Sequence, residues 1–280
     1  MLNMTNDFTK KLMGDMPAQG VSSQHPSLSP FPPTLAEVTV MEVERLRALC
    51  IEQEELAGTW EMARQKDKFR VRLLSGDNER RKESSLLIEK MYSWRGYDAA
   101  GDLDAMPNRI TLNAELNGHI YGTLTVNVDS AAGLAVDEVY RDKVSELRAQ
   151  GRKVCEFGKF AVEQAVKSKR LLATLFHLMY IYAGRINGCT DALIEVNPRH
   201  VAFYQRYLDF KVWGSERMCH RVGAPAVLMR LDFEWVKAKA EEMGGRWREL
   251  PEEKSLYKYF FPKREEDQIV ARLRVPTNAV

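Results

Sequence analysis

The stretch that most constrains this chain runs from residue 154 to residue 210. Val154-Cys155-Glu156-Phe157-Gly158-Lys159-Phe160-Ala161-Val162 reads as a strand, and a basic joint leads from it into an apolar helix over Leu171 to Arg185. Asn187-Gly188 ends that helix, and Asp191 to Asn197 reads as a second strand. Strand, helix, strand is a βαβ unit, which needs two parallel neighbouring strands. One carboxylate, Glu156, lies inside the first strand among apolar and small residues. A buried acid is costly unless it is paired or used, so Glu156 is the first candidate for chemistry. Period-two alternation turns its neighbour Cys155 to the opposite face.

Composition excludes several classes. A net charge of +2 over 280 residues gives no general affinity for nucleic acid. No apolar run approaches the roughly eighteen residues that a transmembrane helix needs. The first residues, interrupted by Asp7, Lys10 and Lys11, do not read as a signal peptide. The four cysteines, Cys50, Cys155, Cys189 and Cys219, form neither a CxxC pair nor a disulfide framework, which fits a reducing cytoplasm. The five histidines, His25, His119, His177, His200 and His220, show no metal-ligand spacing, so no metal is expected. His177, on the apolar helix, reads as a satisfied core residue. A Cys–His nucleophile from Cys155 or Cys219 with His220 is the weaker alternative.

Four segments are expected. Residues 1–33 are rich in Ser and Pro and read as a disordered tail. Residues 34–66 read as a helical arm, opened by a Thr34/Glu37 capping box and carrying a loose stripe that includes Leu46, Cys50 and Leu56. Residues 67–245 form the main domain and 246–280 a C-terminal helical extension. Within the main domain, Phe69 to Leu74 alternates as a half-buried strand, and a helix runs from about Glu79 to Trp94 before Arg95-Gly96-Tyr97. A polar loop with Asp98, Asp102 and Asp104 follows. Arg109 to Leu116 and His119 to Asp129 are strands joined by Asn117-Gly118, a strong hairpin signal. Gly122 marks a bulge or a close backbone approach. A helix covers Asp137 to Gln150, Ala226 to Phe233 is a strand, and Glu234 to Met243 is a helix stopped by Gly244-Gly245. Cys219 to Ala224 reads as a loop or strand edge.

The order of these elements is the layout of the GNAT acyltransferase fold, an α/β (α+β) mixed sheet flanked by helices. The local residues resemble a narrower group. Tyr92-Ser93-Trp94-Arg95-Gly96-Tyr97, Gly122-Thr123-Leu124, Asp129-Ser130-Ala131-Ala132-Gly133-Leu134 and Cys155 to Val162 look like the N-acyl amino acid synthase family of FeeM type. So do Asn197-Pro198-Arg199-His200-Val201-Ala202-Phe203-Tyr204 and Cys219 to Leu228. The resemblance spans roughly residues 69 to 233. It implies a bacterial, cytoplasmic enzyme related to the acyl-homoserine lactone synthases, which joins a long fatty acyl chain from acyl carrier protein to an amine. The lactone synthases carry a Glu-x-x-Arg pair on the matching strand, which here is Glu156 and Lys159. Their early Arg, Phe and Trp set is not reproduced, where Leu87, Met91 and Tyr97 fall at those spacings. An amino acid acceptor is therefore expected rather than S-adenosylmethionine.

An amine attacking a thioester needs a base, a polarised carbonyl, a held oxyanion and a proton for the leaving thiolate. Glu156 suits the base, and burial would raise its pKa; the alternative is a structural ion pair with Lys159 or Arg152. Backbone N–H groups near Phe160, Ala161 and Val162 are the expected oxyanion and donor contacts. Tyr204, with Tyr207 competing, is the candidate acid. The joint Val162 to Arg170 lacks the glycines with which acetyl-CoA enzymes wrap a pyrophosphate. Lys167, Ser168, Lys169 and Arg170 at a helix N-terminus would instead meet the single phosphodiester of a 4′-phosphopantetheine arm and the acidic surface of its carrier. A solvated charge run is the alternative reading. Asn197 completes the donor candidates, and Arg185 and Arg199 are weaker members of the same basic face. Arg95, Tyr97 and Asp129 are the acceptor candidates. Beyond the donor thioester no cofactor is expected. The rival functions are an acetyl-CoA-dependent GNAT acetyltransferase and a non-catalytic module that binds acyl carrier protein or lipid.

Overall fold

Asn117-Gly118 sets the first half of the fold. Both residues take positive φ, 50° and 86°, the conformation that a two-residue turn needs to match the twist of its strands. In the computed structural model, which describes residues 50–54, 68–74, 78–98, 108–164, 166 and 168–274, this turn joins β3 (Arg109–Leu116) to β4 (His119–Val128). Antiparallel partners continue on one side through β2 (Lys68–Leu73) to β1 (Cys50–Glu54). On the other side β4 pairs with β5 (Val154–Val162), and β5 runs parallel to β6 (Asp191–Val196). β8 (Ala224–Asp232) and β7 (Lys211–Cys219) complete an eight-stranded mixed sheet of order β1-β2-β3-β4-β5-β6-β8-β7. The register of β3 and β4 shifts beside Gly122, which is the expected bulge.

Helices cover both faces. On one lie α1 (Asn78–Ser93) and α2 (Asp137–Ala149). α1 buries Leu87, Ile88 and Met91 against Ile120 and Ala161. α2 buries Tyr140, Val144 and Leu147, spaced four and three apart, against Val154, Leu193 and Leu228. The other face carries α3 (Lys169–Tyr180), which continues as a π-helical turn over Ile181–Ile186. Ser168 starts α3 by accepting the Leu171 N–H at 3.0 Å. With α4 (Val201–Leu208), α5 (Phe233–Met243) and the C-terminal segment, α3 encloses the larger core. Among the described residues no helix is long and apolar enough to cross a membrane.

One expectation needs correction, and one strand was not expected. Cys50–Glu54 is an edge strand paired to β2, not part of a helix; the rest of residues 34–66, like the tail before it, lies outside the described residues. Lys211–Cys219 is also a strand. Two register breaks against β8 disturb its alternation and leave Val212 and Met218 48% and 53% exposed, so it carries no amphipathic signal.

The C-terminal extension is helical at its end, α6 (Lys263–Arg274), and Tyr257, Phe260 and Phe261 insert into the core. His177 is its anchor. Its ring stacks on Phe260 at 4.3 Å, Nδ1 accepts the Phe261 N–H at 2.9 Å, and Nε2 lies 3.1 Å from Glu266. Nδ1 as acceptor makes Nε2 the protonated nitrogen, which donates to the carboxylate. Burial pushes the His177 pKa down to about 3, and Arg185 and Lys263 add repulsion. The folded protein thus refuses a proton that the unfolded chain accepts below about pH 6.5. The stability contributed by neutral His177 is present above that pH and is lost as pH falls toward 3. Urea unfolding should show a loss on the order of 3 kcal/mol from this group between about pH 6.5 and 4. His177→Gln, which keeps an acceptor for Phe261, should flatten the slope in that window, and an unchanged slope would assign it to other groups.

Candidate active site

β5 and β6 pair only at Val154 with Asp191, Cys155 with Ala192 and Glu156 with Leu193. Past Glu156 the two strands part, which leaves that edge of β5 from Phe157 to Val162 without a ladder partner among the described residues. A bulge on the β4 side accompanies the parting. Thr123 pairs with Ala161 and Thr125 with Gly158, so Leu124 alone opposes Lys159 and Phe160. Lys159 has φ 47°, a left-handed conformation that a lysine rarely takes. The Tyr204 ring of α4 packs edge-on to Phe176 of α3 at 6.3 Å.

Glu156 sits where the strands part. It is 5% exposed, and its Oε2 accepts the Val136 N–H at 3.3 Å. The loop that supplies this donor is clamped by Arg148, which binds Asp129 at 2.7 and 2.8 Å and Asp137 at 2.7 and 2.8 Å. Among the described residues no ion pair joins Glu156 to Lys159 or Arg152; Arg152 is held by Asp191 at 2.6 Å and Asp232 at 2.7 Å. Burial pushes the Glu156 pKa up to about 7, with the negative charge of Glu195 adding to it and Arg221 and the Val136 N–H opposing. At neutral pH this carboxylate can therefore both take and return a proton. Two residues on, a Cβ at Gly158 would meet nothing within 4 Å, so there is room beside the carboxyl on its own face.

A group of cations and phenols adjoins it. Arg199 donates to the Tyr97 hydroxyl at 2.6 Å and lies 5.0 Å from the centre of that ring. Arg95 donates to the Met91 carbonyl at 3.0 Å, and burial lowers its pKa. Among the described residues neither guanidinium has a carboxylate partner. Tyr92 connects this group to Glu156: burial raises its pKa to about 12, and Arg95, Tyr97, Arg221 and Glu156 all lie near enough to bias it. Tyr204 is buried, its pKa raised by burial and by Tyr92 and lowered by Arg95. Tyr207 instead lies under Lys169 and Arg206, 5.7 and 5.8 Å from its ring centre. Tyr204, not Tyr207, is thus the tyrosine beside Tyr92 and Arg95.

Other candidates are committed to structure. The Asp129 carboxylate is taken by Arg148, which removes it from the acceptor set. Asn197 caps the turn Pro198–His200 through Oδ1 and donates to the Pro225 carbonyl at 3.2 Å, so its side chain is not available to a donor molecule. The Ser168 hydroxyl is the α3 cap. Lys167 lies outside the described residues. Lys169 and Arg170 occupy the first turn of α3; before it, Phe160 is at the bulge and Ala161 and Val162 end β5. Sequence reading missed Glu195 and Arg221. Arg221 ion-pairs with Glu195 and lies 2.8 Å from Glu138. Glu195 carried the signal that singled out Glu156, an acid inside an apolar strand.

A mixed sheet with two strands parting at a buried carboxylate defines a GNAT-type acyltransferase. The family model described as N-acyl amino acid synthase FeeM matches residues 83–232, 150 of the 280 residues, and the chain belongs to that family. The structure of FeeM, an N-acyl amino acid synthase from uncultured soil microbes, is 26% identical with a TM-score of 0.56, and the match covers 61% of this chain and 96% of that one. An acyl-CoA N-acyltransferase from Pseudomonas aeruginosa is 16% identical at TM-score 0.42, covering 57% and 97%. The CoA-dependent acyl-homoserine lactone synthase BjaI is 12% identical at TM-score 0.39, covering 57% and 82%. The last two are too distant to bear on this chain's chemistry. No curated protein matches the chain.

The raised pKa of Glu156 has a consequence for stability. An acid held above its ordinary value of 4.5 binds its proton more tightly folded than unfolded. Its cost is absent at low pH and grows as pH rises from about 4.5 to 7, reaching on the order of 3 kcal/mol. Glu156→Gln should therefore melt several degrees above wild type at pH 8 and close to it at pH 4. A variant less stable than wild type at both values would show that the ionised carboxylate is well accommodated.

Proposed function

We propose that this protein transfers a long fatty acyl chain from the pantetheine thioester of acyl carrier protein to the amine of an amino acid. The observation that carries this reading is Glu156: a buried carboxyl with a pKa near neutrality, at the parting of β5 and β6, in a chain of the N-acyl amino acid synthase family. The acceptor arrives as an ammonium and gives one proton to Glu156. The freed amine attacks the thioester carbon, and the oxyanion is held by backbone N–H groups of the unpaired β5 edge near Phe160 to Val162. The C–N bond forms, the C–S bond breaks, and the thiolate takes a proton from Tyr204, whose phenolate recovers the second proton that the attacking nitrogen loses on becoming the amide. Arg95, close to Tyr204, offsets the phenolate until it is reprotonated. The products are an N-acyl amino acid and the free carrier thiol, with one proton released to solvent.

Arg95 and Arg199 suit the acceptor's α-carboxylate, because among the described residues neither cation has a carboxylate partner and both adjoin Glu156 through Tyr92 and Tyr97. The donor side is supported by Lys169, Arg170 and Arg206 around the start of α3, and by a joint without the glycines that wrap a pyrophosphate. Such cations fit an acidic carrier and a single phosphodiester. Phe160 and Phe176, 5.3 Å apart beside Tyr204, offer apolar surface to the first methylenes of the chain.

The test is a donor-by-acceptor screen read by mass spectrometry. Carrier proteins loaded with short to long acyl chains, and the matching acyl-CoAs, are offered with each amino acid. A long-chain N-acyl amino acid made from the carrier is expected. Product from acetyl-CoA alone would make the protein an ordinary acetyltransferase, and carrier binding without product would make it a binding module. Glu156→Gln should lower turnover at least a thousandfold and retain donor affinity; normal turnover would remove Glu156 as the base. Gly158→Leu, which fills the space beside Glu156, should cut turnover more than tenfold with a melting temperature within about 2 °C of wild type, and full activity would place the acceptor elsewhere.

A further inference from the structure

Glu156 is not the only acid on its face of the sheet. Glu195 lies on β6, two residues beyond Leu193, the register partner of Glu156. Adjacent strands lie about 4.8 Å apart and rise about 3.3 Å per residue, which puts the two Cα atoms about 8 Å apart. Leu193 packs against α2, and alternation turns Glu195 to that same side. The Glu195 side chain is only 9% exposed. Its Oε2 is bound by Arg221, but its Oε1 is buried and accepts no hydrogen bond from the described residues. A buried carboxylate oxygen left without a donor costs on the order of 1–3 kcal/mol or more. The open space at Gly158 lies on this same face.

We infer that Glu195 is the second carboxylate of the acceptor site: its Oε1 accepts an N–H of the substrate amine while Glu156 removes the amine's proton. This rests on the reading of the protein as an amino acid acyltransferase and adds the group that holds the amine. The amine arrives with three N–H bonds. One proton passes to Glu156, one N–H stays on Glu195 Oε1, the nitrogen lone pair freed by the transfer turns toward the thioester carbon, and the third N–H is lost as a proton once the C–N bond has formed. No covalent bond to Glu195 forms. Arg221 fixes the orientation by taking Oε2 and by anchoring itself to Glu138 at 2.8 Å. The groups facing Glu156 are then Glu195 from β6, Arg221 from the β7–β8 turn, Tyr92 from α1, and the Ala135 and Val136 N–H donors before α2.

Glu195→Gln separates an amine contact from a merely structural ion pair. Arg221 donates hydrogen bonds only, so it retains the amide oxygen and turns the NH₂ toward the substrate, where donor faces donor. Calorimetry would measure binding of the twenty amino acids, offered singly, to wild type and to the variant. The α-hydroxy acid matching whichever amino acid binds would be measured beside it. The variant should bind the amino acid at least tenfold more weakly and the hydroxy acid unchanged, and in turnover the KM for the acceptor should rise while that for the donor stays constant. Equal amino acid affinity in both proteins would overturn the inference and leave the acyltransferase reading intact. A wild type that binds none of the twenty would overturn both. If Glu195→Gln does not fold, Glu195→Asp, which keeps the charge but withdraws it by one methylene, should show a smaller loss of the same selectivity, and unchanged selectivity there would likewise overturn the inference.

Discussion

The structure depends on one interruption: two parallel strands that pair for three residues and then separate. Up to Glu156 and Leu193, β5 and β6 form an ordinary ladder. Beyond that point the sheet opens, and each feature of the site follows from the opening. Backbone groups of β5 that a neighbour would otherwise use are freed. The bulge at Lys159 turns the strand. Tyr204 and Phe176 pack against each other in the larger core. Glu156 falls at the last paired position, where burial still excludes most water from its carboxyl.

Such a site is held together by interactions that do no chemistry. The loop that donates to Glu156 is fixed by Arg148, whose guanidinium spans Asp129 and Asp137. The far end of the β5–β6 ladder is tied by Asp191, which is fully buried and receives both Arg152 and Arg230 at 2.6 Å. Tyr140 reaches from α2 to the Ser215 and Ala226 carbonyls, and a Cβ at Gly214 would lie 2.8 Å from its ring, so only glycine fits there. A buried carboxyl with a raised pKa destabilises the fold at neutral pH, and this framework, with the apolar α3 and the C-terminal segment anchored on His177, offsets it.

Local chemistry was legible in the sequence. Asn117-Gly118, the βαβ run and the acid inside an apolar strand each announced an element through residues within a few positions of one another. Interactions between distant residues were not. Asp129 resembled a substrate ligand because nothing nearby shows that Arg148, nineteen positions on, occupies it. Glu195 and Arg221 meet only once β6 and the β7–β8 turn are side by side. β7 was invisible because its register breaks remove the alternation by which strands are recognised. β1 was read as helix because five residues of an edge strand, Cys50–Glu54, hold too little period to compete with the stripe around them.

The central claim is physical: burial at the parting of β5 and β6, with Glu195 beside it, makes Glu156 a proton acceptor at neutral pH. Its most direct test is the titration of the Glu156 carboxyl itself, followed by NMR on protein with ¹³C-labelled glutamate side chains and assigned through Glu156→Gln. The account predicts a midpoint about 7. A midpoint near the ordinary 4.5 would mean that the carboxylate is already solvated or paired, and the account of this site would be wrong.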